Sequence, residues 1–241
     1  MIKVIKFNKS KFNFKKIVDN YFHKKFKVTS KNLHKIENKK YSNFNNLSHI
    51  KKSIYSLKQN HFDVKKDQDL GLIKEFYKID NFFKLGDNSK RQTFNKLYLK
   101  LIKHLEKNFF KEKIYFQKKP TLRLHLPNAI SIGAYHKDSD YGHPKESINF
   151  WLPFINTKKT NTLWLETKTK NKFKPIILNW GDLLMFDSSI KHGVEVNREK
   201  STRASMDFRI ILKRNYKKSK KSSPKNKIKF ILGEYYDETN Y

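Results

Sequence analysis

The stretch Thr202-Arg203-Ala204-Ser205-Met206-Asp207-Phe208-Arg209-Ile210-Ile211-Leu212-Lys213 decides the reading of this chain. Side chains of an extended strand alternate between faces, so Arg203, Ser205, Asp207 and Arg209 share one face by strict period two. Upstream of it, short β-rich segments recur at 121–126, 130–137, 147–154, 160–166, 173–178, 182–187 and 191–196. Turn signals separate them: Pro127-Asn128, Gly142-His143-Pro144, Asn156-Thr157-Lys158 and Trp180-Gly181-Asp182. Many short strands at such spacing predict a sandwich or an eight-stranded jelly roll.

Further upstream the period changes. Phe94, Leu97, Leu101, Ile102, Leu105 and Phe109 recur at helical spacing, which predicts an amphipathic helix of about 20 residues. Lys100, Lys103 and Lys107 form its solvated face, and Gly86-Asp87-Asn88-Ser89 offers an N-cap. Leu72, Ile73, Phe76, Tyr77 and Phe83 predict an earlier helix, residues 45–57 another, and Ile2, Val4 and Phe7 a short strand. The aromatic residues Phe12, Phe14, Tyr21, Phe22 and Phe26 would be surplus in a disordered tail, so this part is expected to fold onto the rest. The lysine-rich run 213–229 reads as a solvated loop, and the apolar run 230–236 as a segment that docks back on the sheet. The expected organisation is one domain. A mostly helical region 1–112 packs on a β core 113–214, and 215–241 forms a basic loop and docking segment.

The composition sets bounds. Zero Cys leaves His, Asp and Glu as the residues able to hold a metal. No apolar run reaches membrane-spanning length, and the start lacks the pattern of a signal peptide, so a cytoplasmic protein without membrane attachment is expected. The net charge of +32 suggests a polyanion partner. Only six of the 54 basic residues are Arg, however, and Ala occurs only at 129, 134 and 204, a joint skew typical of composition bias. Bidentate phosphate recognition favours Arg.

The chemistry gathers around Ala134-Tyr135-His136-Lys137-Asp138-Ser139-Asp140-Tyr141-Gly142-His143. In an extended strand the His136-x-Asp138 spacing puts an imidazole and a carboxylate on one face. Such a pair is common by chance, and its context has to decide. A closed sheet brings the second and seventh predicted strands together, and with them His192. Two His and one carboxylate make a facial triad that leaves open positions on Fe(II). Arg203, opening the eighth strand, is placed to grip the far end of a dicarboxylate bidentately, with Ser205 adding a hydroxyl donor. Arg209 competes with Arg203 for that carboxylate. Asn149 and Trp151 share a face that points at the site if the strand is oriented so; Asn149 then binds the dicarboxylate, a structural role being its alternative, and Trp151 contacts substrate. Arg123 and His125 alternate with Leu122, Leu124 and Leu126; they are interior substrate contacts or surface residues. Trp164 reads as core, and Asp140 and His143 as loop residues, not ligands.

This constellation resembles the Fe(II)/2-oxoglutarate-dependent dioxygenases, in the phytanoyl-CoA-hydroxylase-like arrangement of His136-x-Asp138, His192 and Arg203-x-Ser205. The stretches TLRLHLPNAISIGAYHKDSDYGHP, SINFWLPF, TNTLWLE and ASMDFRI look like oxygenases of the streptomycin-biosynthesis and carbohydrate-cluster type, over about residues 115–212. The resemblance implies a mainly β fold, a double-stranded β-helix (jelly roll, cupin-like) core with flanking helices. It implies Fe(II) on His136, Asp138 and His192, with O2 and 2-oxoglutarate as co-substrates and Arg203 on the 5-carboxylate. Succinate and CO2 would be released as a small polar metabolite, such as a sugar or aminocyclitol, is hydroxylated. Halogenating relatives replace the carboxylate, so Asp138 favours hydroxylation, desaturation or cyclisation. Two alternatives stay open. One is a nucleic-acid demethylase of the AlkB type, whose Arg-x5-Arg spacing Arg203 and Arg209 match. The other is a non-catalytic cupin-like module that binds a sugar or a protein.

Overall fold

The structure is a computed structural model that describes residues 1–35, 88–125, 127, 135–223 and 227–239. The elements run β1 (Ile2–Lys6), α1 (Phe14–Phe26), α2 (Asn88–His104), β2 (Ile114–Gln117), β3 (Thr121–His125) and β4 (Ile148–Pro153). They continue with β5 (Leu163–Glu166), β6 (Phe173–Ile176), β7 (Asp182–Asp187), β8 (His192–Gly193), β9 (Arg203–Leu212) and β10 (Tyr236–Glu238). The helices predicted at 45–57 and 72–83 lie outside the described residues, as does most of the predicted strand 130–137.

Two antiparallel sheets carry the fold. The large one has the order β1-β7-β4-β9-β2-β10 with β3 also on β9, and the small one the order β6-β5-β8. An isolated bridge between His136 and His192 extends the small sheet by one chain crossing. From β3 onward the chain passes back and forth between the sheets, which is the double-stranded β-helix of the mainly β class. Strand β9 is its axis. It pairs with β4 along one edge, and with β3 and then β2 along the other.

Strict alternation on β9 and β4 sorts two cores. Phe150, Leu152, Met206, Phe208 and Ile210 point to the outer face, where α1 and α2 cover them with Phe14, Val18, Phe94, Tyr98, Leu101 and Ile102. Helix α1 starts where the Asn13 side chain accepts a hydrogen bond from the Lys16 amide at 3.0 Å, an N-cap that satisfies an orphan donor. Trp151, Leu184 and Phe186 point inward and meet Leu163, Leu165 and Val194. The hinted strand at the start is β1, which closes the β7 edge in the register Ile2↔Phe186 to Lys6↔Asp182. The predicted helix starts at Asn88, within the stretch that offered the N-cap, and changes to a π turn at Leu105–Phe110. That wider turn places the buried Glu106 carboxylate where it accepts from the Ile114 amide and the Thr239 hydroxyl. No helix among the described residues is long and apolar enough to cross a membrane.

Phe208 sits at the meeting point of sheet and helix. Its ring stacks on Phe150 with centroids 5.0 Å apart and meets Tyr98 edge-on at 5.4 Å. Truncating a buried Phe removes transfer energy and leaves a cavity. Phe208→Ala is therefore expected to lower unfolding free energy by about 3–5 kcal/mol, read from urea denaturation.

Candidate metal centre

One bridge and one turn bring three donors together. His136 and His192 exchange both backbone hydrogen bonds, at 2.9 and 2.8 Å, so their rings stand 4.6 Å apart. After Lys137 the chain leaves the extended conformation and makes a turn of 3-10 helix at Asp138–Tyr141. Gly142 ends it at φ 90°, a conformation that a Cβ would strain. The expected strand spacing of His136 and Asp138 is thus corrected: a turn, not strand alternation, swings the carboxylate back toward both rings. One ligand atom each from His136, Asp138 and His192 lies within 4.8 Å of the others, the one such cluster among the described residues. Asp138 Oδ1 stands 3.5 Å from His136 Nε2.

Close approach of the two chain crossings depends on Gly193. A Cβ there would sit 2.9 Å from the Tyr135 ring and 3.1 Å from the Tyr135 Cα. The neighbouring His192 ring has a fixed orientation, because Nδ1 lies 3.0 Å from the Ile190 carbonyl and donates to it. That leaves Nε2 with the lone pair to offer.

Asp138 is buried, and Arg209 compensates it. Nε and Nη2 of Arg209 reach the same oxygen, Oδ2, at 3.0 and 2.8 Å, while Oδ1 faces the His side. Burial alone would raise the Asp138 carboxyl, but Arg209, and then the contact with His136, hold it well below the usual carboxylate range. Burial pushes His192 down to about 4, against the pull of Asp138, and His143 down to about 3, with Arg209 adding to the effect. Arg123 pairs with Asp207 at 2.5 Å, and Asp207 lies 3.8 Å from Arg209.

The other end of the cavity is uncompensated. Arg203 is 1% exposed, and no carboxylate among the described residues pairs with it. Its Nη1 donates to the Asn161 carbonyl at 3.1 Å, its guanidinium lies 5.3 Å from the Trp151 ring centre, and its Nε has no partner. Burial, followed by Arg123, lowers its pKa to about 9, with Asp207 opposing. Ser205 Oγ and both polar atoms of the Asn149 side chain are likewise buried without partners. Buried polar groups are normally satisfied, and each orphan costs roughly 1–3 kcal/mol.

The cavity is walled by His136, Asp138, Asn149, Trp151, His192, Arg203 and Arg209, together with Arg123, Asp207, Leu163, Phe186 and Val194. Of the residues predicted from sequence, it therefore joins the triad, both arginines, Asn149, Trp151 and Arg123. Ser205 follows Arg203 on the same face of β9 and is buried, but is not part of the cavity wall. His125 is buried opposite Arg203 on β3 but is not part of the cavity wall. Arg123 is on the interior face and is held by Asp207. Trp164 is half-buried on β5 and donates to the Lys159 carbonyl. Gln117 and Tyr235, which meet Arg209 Nη1 at 3.2 Å, were missed, as was Asn161. The apolar run 230–236 was a sequence signal for Tyr235 alone.

No family model matches the chain. The streptomycin biosynthesis protein StrG of Streptomyces griseus is 34% identical over 125 residues, 52% of this chain and 60% of that protein. Among solved structures, the non-heme alpha ketoglutarate dependent epimerase SnoN from nogalamycin biosynthesis is 14% identical with a TM-score of 0.40, over 53% of this chain and 58% of that one. The nickel complex of the non-heme monooxygenase ThoJ is 13% identical with a TM-score of 0.40, over 49% of this chain and 53% of that one.

Two outcomes follow for the metal-free protein. With a folded pKa near 4 against about 6.5 unfolded, His192 at pH 5 carries a proton only in the unfolded state. Stability therefore climbs with pH between about 4 and 6.5, and His143 adds a slope of the same sign. Urea unfolding in chelator across that window is expected to show the climb, and His192→Gln to make it shallower, with the His143 contribution remaining. Gly193→Ala is expected to cost about 1–3 kcal/mol by overpacking against Tyr135, read from the same unfolding curves at pH 7.

Proposed function

We propose that this chain is an Fe(II)- and 2-oxoglutarate-dependent oxygenase that hydroxylates a small polar metabolite, a sugar or aminocyclitol in class. The observation that carries the reading is the pairing, across one cavity, of the His136, Asp138, His192 cluster with the uncompensated Arg203 guanidinium. Two imidazoles and one carboxylate, with no thiolate in the chain, are a donor set that suits Fe(II). The orphaned donors Arg203 Nε and Ser205 Oγ suit a carboxylate.

Fe(II), when bound, supplies a centre at which the co-substrate and O2 react. The balance is R–H + O2 + 2-oxoglutarate giving R–OH + succinate + CO2, with one oxygen atom in the alcohol and the other in succinate. The chain's own residues hold geometry and keep water out. Arg203 and Ser205 bind the distal carboxylate of 2-oxoglutarate, and the Asn149 amide, opposite Arg209 in the sheet, offers a further donor at the other end of the cavity. Trp151, Leu163, Phe186 and Val194 give the cavity dry walls. Burial keeps His192 unprotonated at neutral pH, so its lone pair remains available. The metabolite class is supported by the likeness to StrG over 125 residues, and by the ionic pair Arg123–Asp207 in the cavity wall.

Under anaerobic conditions, Fe(II) and 2-oxoglutarate together are expected to give a weak visible charge-transfer band. His136→Ala should abolish it. Arg203→Met should weaken 2-oxoglutarate binding by about tenfold or more while Fe(II) affinity holds, since one charge-assisted contact is worth about 1.5–3 kcal/mol. Absence of the band in the unmodified protein would sink the oxygenase reading in favour of a binding module. Succinate release over a panel of sugars, aminocyclitols and a methylated oligonucleotide then identifies the substrate class. Turnover of the oligonucleotide alone, falling steeply with salt, would overturn the metabolite assignment.

A further inference from the structure

We infer that Arg209 is a positioning residue of the metal centre, and that Tyr235 of the C-terminal segment, with Gln117, holds it in place. The inference rests on the oxygenase reading of His136, Asp138 and His192.

Arg209 is locked from three sides. Nε and Nη2 meet Asp138 Oδ2 at 3.0 and 2.8 Å. Nη1 donates to Gln117 Oε1 and to the Tyr235 hydroxyl, both at 3.2 Å. Asp207 Oδ2 adds a longer charge contact at 3.8 Å. A planar guanidinium engaged along separate directions cannot turn without losing several contacts at once. Gln117 is itself oriented, because its Nε2 donates to the Lys119 carbonyl at 2.6 Å and so leaves Oε1 for Arg209.

Tyr235 arrives from the far end of the chain and is anchored around its backbone. The Lys118 amide donates to the Tyr235 carbonyl at 2.8 Å, and β10 pairs with β2 in the register Tyr236↔Gln117 to Glu238↔Tyr115. The Tyr236 hydroxyl lies 3.1 Å from Ser147 Oγ, and Thr239 reaches the buried Glu106 carboxylate at 2.8 Å. The segment thus carries one hydroxyl to the metal side of the fold and is fastened on either side of it.

The consequence concerns how Asp138 can bind. With Oδ2 in two charge-assisted hydrogen bonds, only Oδ1 is left for a metal. The cluster then contributes three donor atoms, one from each residue. A carboxylate free to rotate can offer both oxygens and take a position that a chelating co-substrate needs. Arg209 acts through Asp138, and Tyr235 and Gln117 act through Arg209.

The test uses Mn(II) as the probe and the full chain, with free Mn(II) read by electron paramagnetic resonance. Arg209→Met is expected to weaken Mn(II) binding by about tenfold or more, the usual scale for residues that orient ligands. Tyr235→Phe, which deletes one hydroxyl, should weaken it by about threefold. Tyr236→Phe removes the Ser147 contact of the same segment without touching Arg209, and should bind as the unmodified chain does. A crystal structure with Mn(II) should show metal on Oδ1 and Arg209 on Oδ2. The inference is overturned if Tyr235→Phe and Tyr236→Phe bind alike, or if the metal takes Oδ2 or both oxygens. If Arg209→Met does not fold, the two tyrosine variants carry the comparison. Unmodified chain that binds no Mn(II), or His136→Ala that binds it equally, overturns the oxygenase reading and this inference with it.

Discussion

The inner face of β9 puts charge where a protein interior tolerates it least. Arg203, Ser205, Asp207 and Arg209 project between the two sheets, and three of the four carry charge. Removing an ion from water costs several kcal/mol unless a partner replaces the lost hydration. The surroundings answer with an alternating chain, Arg123 to Asp207 to Arg209 to Asp138, that runs along the cavity wall to His136. The outer face of the same strand is free of this demand. Met206, Phe208 and Ile210 pack there against α1 and α2 as an ordinary apolar layer. The helices therefore supply stability, and the small sheet closes the charged side into a cavity.

What could be read from sequence divides along physical lines. Strands β4, β7 and β9 were legible because each is long enough for period two to repeat, and their alternation names the face of every residue. The triad was legible because the closed sheet brings the second and seventh crossings together whatever the loops do. The 3-10 turn at Asp138–Tyr141 was not, since a local turn and a strand end share the His-x-Asp spacing. Gln117 and Tyr235 were not either: β2 and β10 lie outside the eight-strand run, and a hydroxyl's target is fixed by tertiary packing. The π turn at Leu105–Phe110 follows from Glu106 finding buried partners in Ile114 and Thr239, which no helical periodicity reveals.

The use of cations in the interior qualifies the large net charge. Among the described residues no lysine is buried, whereas Arg203 and Arg209 are, and Arg123 is mostly covered. Lysine can remain in solvent while its stem covers apolar surface, so a compositional excess of Lys accumulates outside at little cost. A buried cation needs fixed, planar donors that match carboxylate and carbonyl acceptors, which arginine provides. Three of the six arginines in a chain of 54 basic residues line one cavity. Their placement carries more information about chemistry than the +32 does.

Arg203 and Arg209 are near-equivalents in sequence, two guanidinium groups on one strand face, and either spacing suits a carboxylate. Counter-ions separate them. Arg209 spends its donors on Asp138, Gln117 and Tyr235, so its charge is already matched inside the protein. Among the described residues Arg203 meets the Asn161 carbonyl and the face of Trp151, and its Nε, like the Ser205 hydroxyl, stays unmatched. A buried cation without a counter-ion destabilises the fold that holds it, and an arriving dianion relieves that cost only where the cost exists. Under the proposed function, binding of the anionic co-substrate therefore falls to Arg203. Arg209 lends its charge to keeping Asp138 ionised and facing the two imidazoles.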